Sequence, residues 1–241
     1  TLGGGSTEND RAYGVAVDSS DEIVITGAKD FQGVEDLFVA KYDVSGGLLW
    51  DRKISGTGSE VGSGAAIDST GAIFVCAESS SYGAGSSDIL LVKYNSSGTL
   101  QWARTLGGSG GVDGGKDLVI DSSDNIVLVG RTNDGTGTIH LLVAKYNSSG
   151  TLQWTKILGG VPHDGANGVA VDSSDNIVIV GDTWTDGAGG QDASIVKYNS
   201  SGTLQWARTL GGSVFHDYGR DVAIDSTDNI YVQTMTTSET S

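Results

Sequence analysis

One cysteine, one proline and one methionine are all that the 241 residues contain of those three types. The single thiol, Cys76, lies in the apolar run AIFVC and excludes any disulfide within the chain. It reads as a small buried hydrophobe. No window comes near the roughly 20 apolar residues of a spanning helix, so membrane insertion by a helix is excluded. Basic residues are scarce: 14 Lys and Arg face 30 Asp and Glu, a formal net charge of −16. Such a field repels phosphate backbones and anionic lipid, which argues against nucleic-acid and membrane-surface partners. The chain does not open on Met, and residue 1 reads as a processed or cloned start.

What is abundant is glycine, 38 residues, and repetition. The decapeptide KYNSSGTLQW occurs at 93–102, 145–154 and 197–206, and Trp50, Trp102, Trp154 and Trp206 are each 52 residues apart. Cutting by this period gives repeats 1–52, 53–104, 105–156 and 157–208 and a partial repeat 209–241. A period near 50 marks propellers and solenoids, whose units each form one supersecondary structure stacked on the next. In the fourth unit the strand-like runs are 168–172, 176–182, 193–198 and 203–210. The first three carry apolar residues on both faces, and the last alternates like a half-exposed outer strand. DSSDN and NSSG clusters turn the chain between them. The expected fold is therefore all-β: a propeller of four-stranded antiparallel blades, about five of them, the last incomplete. The whole of 1–241 is expected to form one domain, alone or within a longer chain. The periodic tryptophans are expected in the blade core.

The unit TLGG…GVAVDSSDNIVIVGDT…DASIVKYNSSGTLQW resembles the β-propeller repeat family called seven-bladed, or SBBP-type, repeats. The resemblance covers the whole chain. It implies a secreted or surface-attached bacterial or archaeal protein, generally without assigned catalytic residues, and it carries over no site.

Blade topology puts the monotonous DS and NSSG turns on one face and the variable loops on the other, where binding residues usually sit. Eight residues before each DS turn stands an acid: Asp10, Glu60, Asp113, Asp164 and Asp217. These five carboxylates could gather a cation or cationic ligand at a channel mouth. Equally, each could cap backbone N–H groups of its own glycine-rich loop. His163 and His216 precede two of the acids and could orient a proton or a ligand. Trp184 alone among the five tryptophans is out of period. With Asp186 and Tyr218 it offers the flat apolar face and polar groups of a sugar site, or packs a long loop. The run 182–187 fails as an EF-hand loop, so no metal ligand set is assigned; calcium at the paired aspartates of the DS turns is a weaker alternative to plain turn chemistry. Asn95, Asn147 and Asn199 each begin Asn-Ser-Ser, at once an N-glycosylation acceptor and a good hairpin turn.

With no catalytic constellation, the leading functional expectation is a non-enzymatic extracellular or cell-surface scaffold. It would bind a glycan or protein through its variable face, without a cofactor. One alternative is a structural segment of a surface filament or multidomain protein, self-assembling through the incomplete last blade. The other is a glycan-active enzyme using His163, Asp164, His216 and Asp217.

Overall fold

In every repeat a first aspartate reverses the chain between the two inner strands. The Asp172 carboxylate accepts the backbone N–H of Ser174 and Asn176, both at 2.9 Å, and Asp18, Asp68, Asp121 and Asp225 do the same in their units. The fourth turn residue takes a left-handed backbone: Asp21, Asp124, Asp175 and Asp228 lie at φ 58–63°, and Gly71 at 78°. The NSSG turns share this design. Asn95, Asn147 and Asn199 accept through Oδ1 from the hydroxyl two residues on and the N–H four on, and Gly98, Gly150 and Gly202 are left-handed. Asp43 fills the same role in the first repeat, so the turn needs a side-chain oxygen there and tolerates either residue.

The computed structural model describes residues 10–31, 33–159, 164–184, 187 and 190–237. Among these, 18 strands form five antiparallel sheets in sequence order. The first sheet holds β1 (Arg11–Val17), β2 (Ile23–Phe31), β3 (Val34–Tyr42) and β4 (Leu48–Ile54). The second holds β5 (Glu60–Ile67), β6 (Ile73–Ser79), β7 (Asp88–Tyr94) and β8 (Leu100–Leu106). The third holds β9 (Gly114–Ile120), β10 (Ile126–Asn133), β11 (Ile139–Tyr146) and β12 (Leu152–Leu158). The fourth holds β13 (Gly165–Val171), β14 (Ile177–Thr183), β15 (Asp192–Tyr198) and β16 (Leu204–Leu210). The fifth has two strands, β17 (Asp217–Ile224) and β18 (Ile230–Thr236). The strands fall on the runs expected from the sequence to within a few residues, and the first four sheets are the four-stranded blades of a propeller.

The chain divides into two compact units, Thr1–Leu118 and Val119–Ser241. In the first, Val24, Leu37 and Val39 of one sheet pack on Leu90, Val92 and Tyr94 of the next. In the second, Val127, Val143 and Leu141 pack on Ile177, Val196 and Tyr198, and Val178 and Val180 pack on Val222. The two middle strands of each full blade are the most buried; the innermost strands, richer in glycine, alanine and polar residues, are only partly so. Cys76 is fully buried, and burial pushes its thiol up to about 12, which leaves it unreactive.

The tryptophans differ from expectation. Trp50 and Trp154 are half-buried at the seam between blades. Trp50 Nε1 donates to Ser96 O at 3.1 Å, and Arg52 Nε donates to Gly98 O at 2.6 Å, so β4 grips the NSSG turn of the following repeat. They stand on outer strands, which have one sheet face to bury and a neighbour's turn within reach.

A second staple joins the DS turns of the second unit. Asp175 accepts from Ser122 N at 2.9 Å and Ser122 Oγ at 2.6 Å, and Asp228 accepts likewise from Ser173. The left-handed aspartate thus stays although glycine would adopt its φ more readily. At Asp21, among the described residues, no donor to the carboxylate is found. Asp21→Gly should therefore be neutral to slightly stabilising, whereas Asp175→Gly loses two hydrogen bonds; the two variants should differ by about 1–2 kcal/mol in urea unfolding. Equal stabilities would show that the Ser122 staple contributes nothing.

Candidate functional site

The acid of each repeat stands just before, or at the start of, the innermost strand. Glu60, Asp113, Asp164 and Asp217 are all buried, and Asp10 is half-buried. Their carboxylates turn to nearby loops. Asp113 Oδ2 accepts from Gly108 N at 2.9 Å, Asp217 Oδ2 from Gly212 N at 3.1 Å, Asp164 Oδ1 from Trp184 N at 3.1 Å, and Glu60 Oε1 from Ser79 Oγ at 3.2 Å. At Asp113 and Asp217 the contact is capping of a glycine-rich loop, whose N–H groups have no ladder partner; Asp164 takes the backbone N–H of Trp184, and Glu60 a serine hydroxyl of β6. Among the described residues no group of three or more His, Cys, Asp or Glu is placed to hold a metal ion.

His163 and Asp186 lie outside the described residues. His216 and Asp217, adjacent in sequence, are engaged by different partners. His216 Nδ1 accepts from Gln191 N at 2.9 Å, which leaves the Nε2–H tautomer for the neutral ring. Asp217 Oδ1 accepts from Thr236 Oγ1.

The structure does gather Trp184, His216 and Tyr218. Trp184 and His216 rings are 5.2 Å apart at 53°, His216 and Tyr218 rings 6.3 Å apart at 40°, and the Arg220 guanidinium lies 4.8 Å over Tyr218. Trp184 is 43% exposed, and Val214 and Phe215, which precede His216 in the chain, are exposed too. Arg220 was not evident from the sequence, since only the tertiary fold puts it on Tyr218. Beneath this cluster Asp182 accepts from Asn167 Nδ2 and Gly219 N, both at 3.1 Å. Burial pushes its carboxyl up, against the lowering effect of Asn167, Arg220 and Gly219.

The second unit also contains a cavity of about 350 Å³ between the third and fourth sheets. Leu141, Leu158 and Val196 form apolar walls, and Asp164, Thr183 and Ser194 supply polar groups. Asp182 and Arg208 also line it. Ser194 and Arg208 belong to no motif of the sequence. The available signal was the repeat register, which sets Ser194 against Phe38, Leu90 and Leu142 of the other units.

Two stretches, 69–100 and 173–204, match a family described as "Domain of unknown function (DUF5122) beta-propeller". Each spans the DS turn, the middle strands and the NSSG turn. The Regulatory protein FlaEY of Caulobacter vibrioides is 28% identical over 143 residues, which cover 50% of this chain and 15% of that protein. An uncharacterized WD repeat-containing protein of Acanthamoeba polyphaga mimivirus is 25% identical over 196 residues, 60% of this chain and 14% of that one. The chain thus spans about one seventh of the length of these curated relatives. Among solved structures, a protein of unknown function from Dyadobacter fermentans aligns with TM-score 0.60 and 11% identity, over 94% of this chain and 79% of that one. A gluconolactonase from Xanthomonas campestris aligns with TM-score 0.55 and 13% identity, over 92% and 68%. At such identities the likeness is one of fold. Together with the 52-residue period and the four-stranded antiparallel sheets, these matches show a β-propeller fold built of repeated units and support a β-propeller repeat family.

Proposed function

We propose that this protein is a non-catalytic binding module of the cell exterior, taking a glycan on the aromatic face of Trp184, His216 and Tyr218. The observation that carries the reading is Trp184: the blade repeat does not require it, it is 43% exposed, and it stands against a second ring. Exposed aromatic rings beside hydrogen-bonding groups suit the C–H faces and hydroxyls of sugars. The backbone N–H groups that Asp164 and Asp217 accept speak for a structural use of two acids that an enzyme would need. On a glycan array the intact chain is expected to bind a limited set of sugars. Trp184→Ala should weaken the best of them at least about tenfold, the loss of roughly 1.4 kcal/mol of contact. Unchanged affinity in Trp184→Ala, or turnover of the bound sugar, overturns the reading.

A second reading, assembly, rests on β18. Among the described residues it has a strand on one side only, and Tyr231 and Met235 on it are exposed. An unpaired apolar edge accepts a strand from another chain. Light scattering across a concentration series should then show a dimer that Val232→Pro abolishes.

A further inference from the structure

The cavity between the third and fourth sheets has a specific origin. Counting from the Lys-Tyr pair, Ser194 occupies the position of Phe38, Leu90 and Leu142, and the strand pairing agrees: these four residues lie opposite Gly181, Gly27, Ala77 and Gly130 respectively. In the other three units the side chain is large, apolar and buried. Ser194 shares a sheet face with Val196 and Tyr198, which pack against the third sheet. The small residue therefore opens space where the other blades are filled.

Among the described residues, one group in that space lacks a partner. Asp164 is 4% exposed; its Oδ1 takes the Trp184 N–H, and no described residue donates to its Oδ2. A buried carboxylate oxygen without a donor is costly and rare, which marks it as a place for a donor from outside the chain. Asp182, on the same wall, is already satisfied by Asn167 and Gly219. Among the described residues the charged lining comprises two acids and one base, Arg208, whose Nη1 donates to Ala207 O and whose guanidinium lies over Trp206.

We infer that this cavity is a binding site for a small organic ammonium ion, with Asp164 Oδ2 as its counter-ion and Leu141, Leu158 and Val196 around its carbon chain. A bare metal ion fits less well, since it would need several oxygen ligands where three walls are aliphatic. The volume of about 350 Å³ lies at the small end of ligand pockets. The inference is independent of the glycan reading, which concerns exposed rings outside this space.

The test is calorimetric titration of the intact chain with n-butylammonium, butan-1-ol and potassium chloride. Butylammonium should bind one to one, at least tenfold tighter than butan-1-ol, and undisturbed by potassium. Ser194→Leu restores the side chain of the second and third repeats and should abolish binding without loss of thermal stability. Ser194→Ala keeps the space open and should bind within threefold of the parent. Asp164→Asn should lose at least tenfold for butylammonium and little for butan-1-ol; should that variant fail to fold, the two Ser194 variants decide the question. No binding by the parent, equal binding of butan-1-ol, displacement by equimolar potassium, or full binding by Ser194→Leu overturns the proposal.

Discussion

Lys145→Ala is expected to destabilise the protein by about 3–5 kcal/mol, the cost of leaving a buried charge without its partner. Lys145 Nζ lies 2.7 Å from Asp121 Oδ2, with the two side chains 8% and 2% exposed, and also donates to Ser200 O at 3.2 Å. One ammonium thus ties the DS turn of its own blade to the NSSG turn of the next. The pair recurs as Lys41–Asp18 at 2.9 Å, Lys93–Asp68 at 3.6 Å and Lys197–Asp172 at 2.7 Å. In the two-stranded fifth sheet Asp225 is held by Asn229 and the Tyr231 hydroxyl instead. The neutral double variant Lys145→Met with Asp121→Asn should recover most of the loss, because replacing both charges removes the desolvation problem along with the attraction. Urea unfolding of the three proteins checks this; a loss below about 1 kcal/mol in Lys145→Ala would place the pair among weak surface bridges.

The same pairs set the acid limit of the fold. Burial pushes the Asp18, Asp121 and Asp172 carboxyls up, but the facing lysine, the turn N–H groups and, at Asp121 and Asp172, an asparagine amide outweigh it. All three are held below the ordinary 3.8, Asp172 at about 2. A carboxyl depressed by folding contributes stability in full above its unfolded value and loses it as pH falls through the folded one. The melting temperature should therefore decline between about pH 4 and pH 2. Lys145→Ala should decline less steeply, since Asp121 then has less to lose.

Strand positions were legible in the sequence because turn chemistry brackets each run and the 52-residue period repeats the evidence. The first strand of the fourth unit begins at Gly165, three residues ahead of the apolar run at 168, because Gly165 and Ala166 pair with β14 by backbone ahead of a bulge at Asn167 and carry no alternation. The periodic acids were visible as a pattern, but the direction of each carboxylate depends on loop backbone that has no signature. The seam role of Trp50 was hidden because its partner, the turn at 96–98, lies in the following repeat. Ser194 was hidden differently: a serine in a strand reads as a polar face, and only alignment with Leu90 and Leu142 reveals a missing core side chain.

Gly98→Ala is expected to cost about 2–4 kcal/mol, far more than the same change at Gly46. Both glycines end an NSSG-type turn with positive φ, 76° and 83°, so each alanine pays about 1 kcal/mol for a left-handed backbone. At Gly46 an added methyl meets nothing within 4 Å. At Gly98 it would sit 2.7 Å from Trp50 Cδ2 and 3.0 Å from Cε2 and Cε3, too close for carbon atoms. The ring must then retreat and release the Nε1 bond to Ser96 O, and the Arg52 bond to Gly98 O goes with it. Trp154 over Gly202 has the same geometry in the second unit, at 3.1 Å. A double-mutant cycle separates the two contributions: in a Trp50→Ala background, Gly98→Ala should cost only the backbone share of about 1 kcal/mol. If its cost stays above about 2 kcal/mol there, the indole is not what excludes the methyl, and the repeated tryptophan and glycine would need separate explanations. If it falls as expected, the recurrence of Trp and Gly in these repeats reflects one seam contact, made by Trp50 with Gly98 in the first unit and by Trp154 with Gly202 in the second.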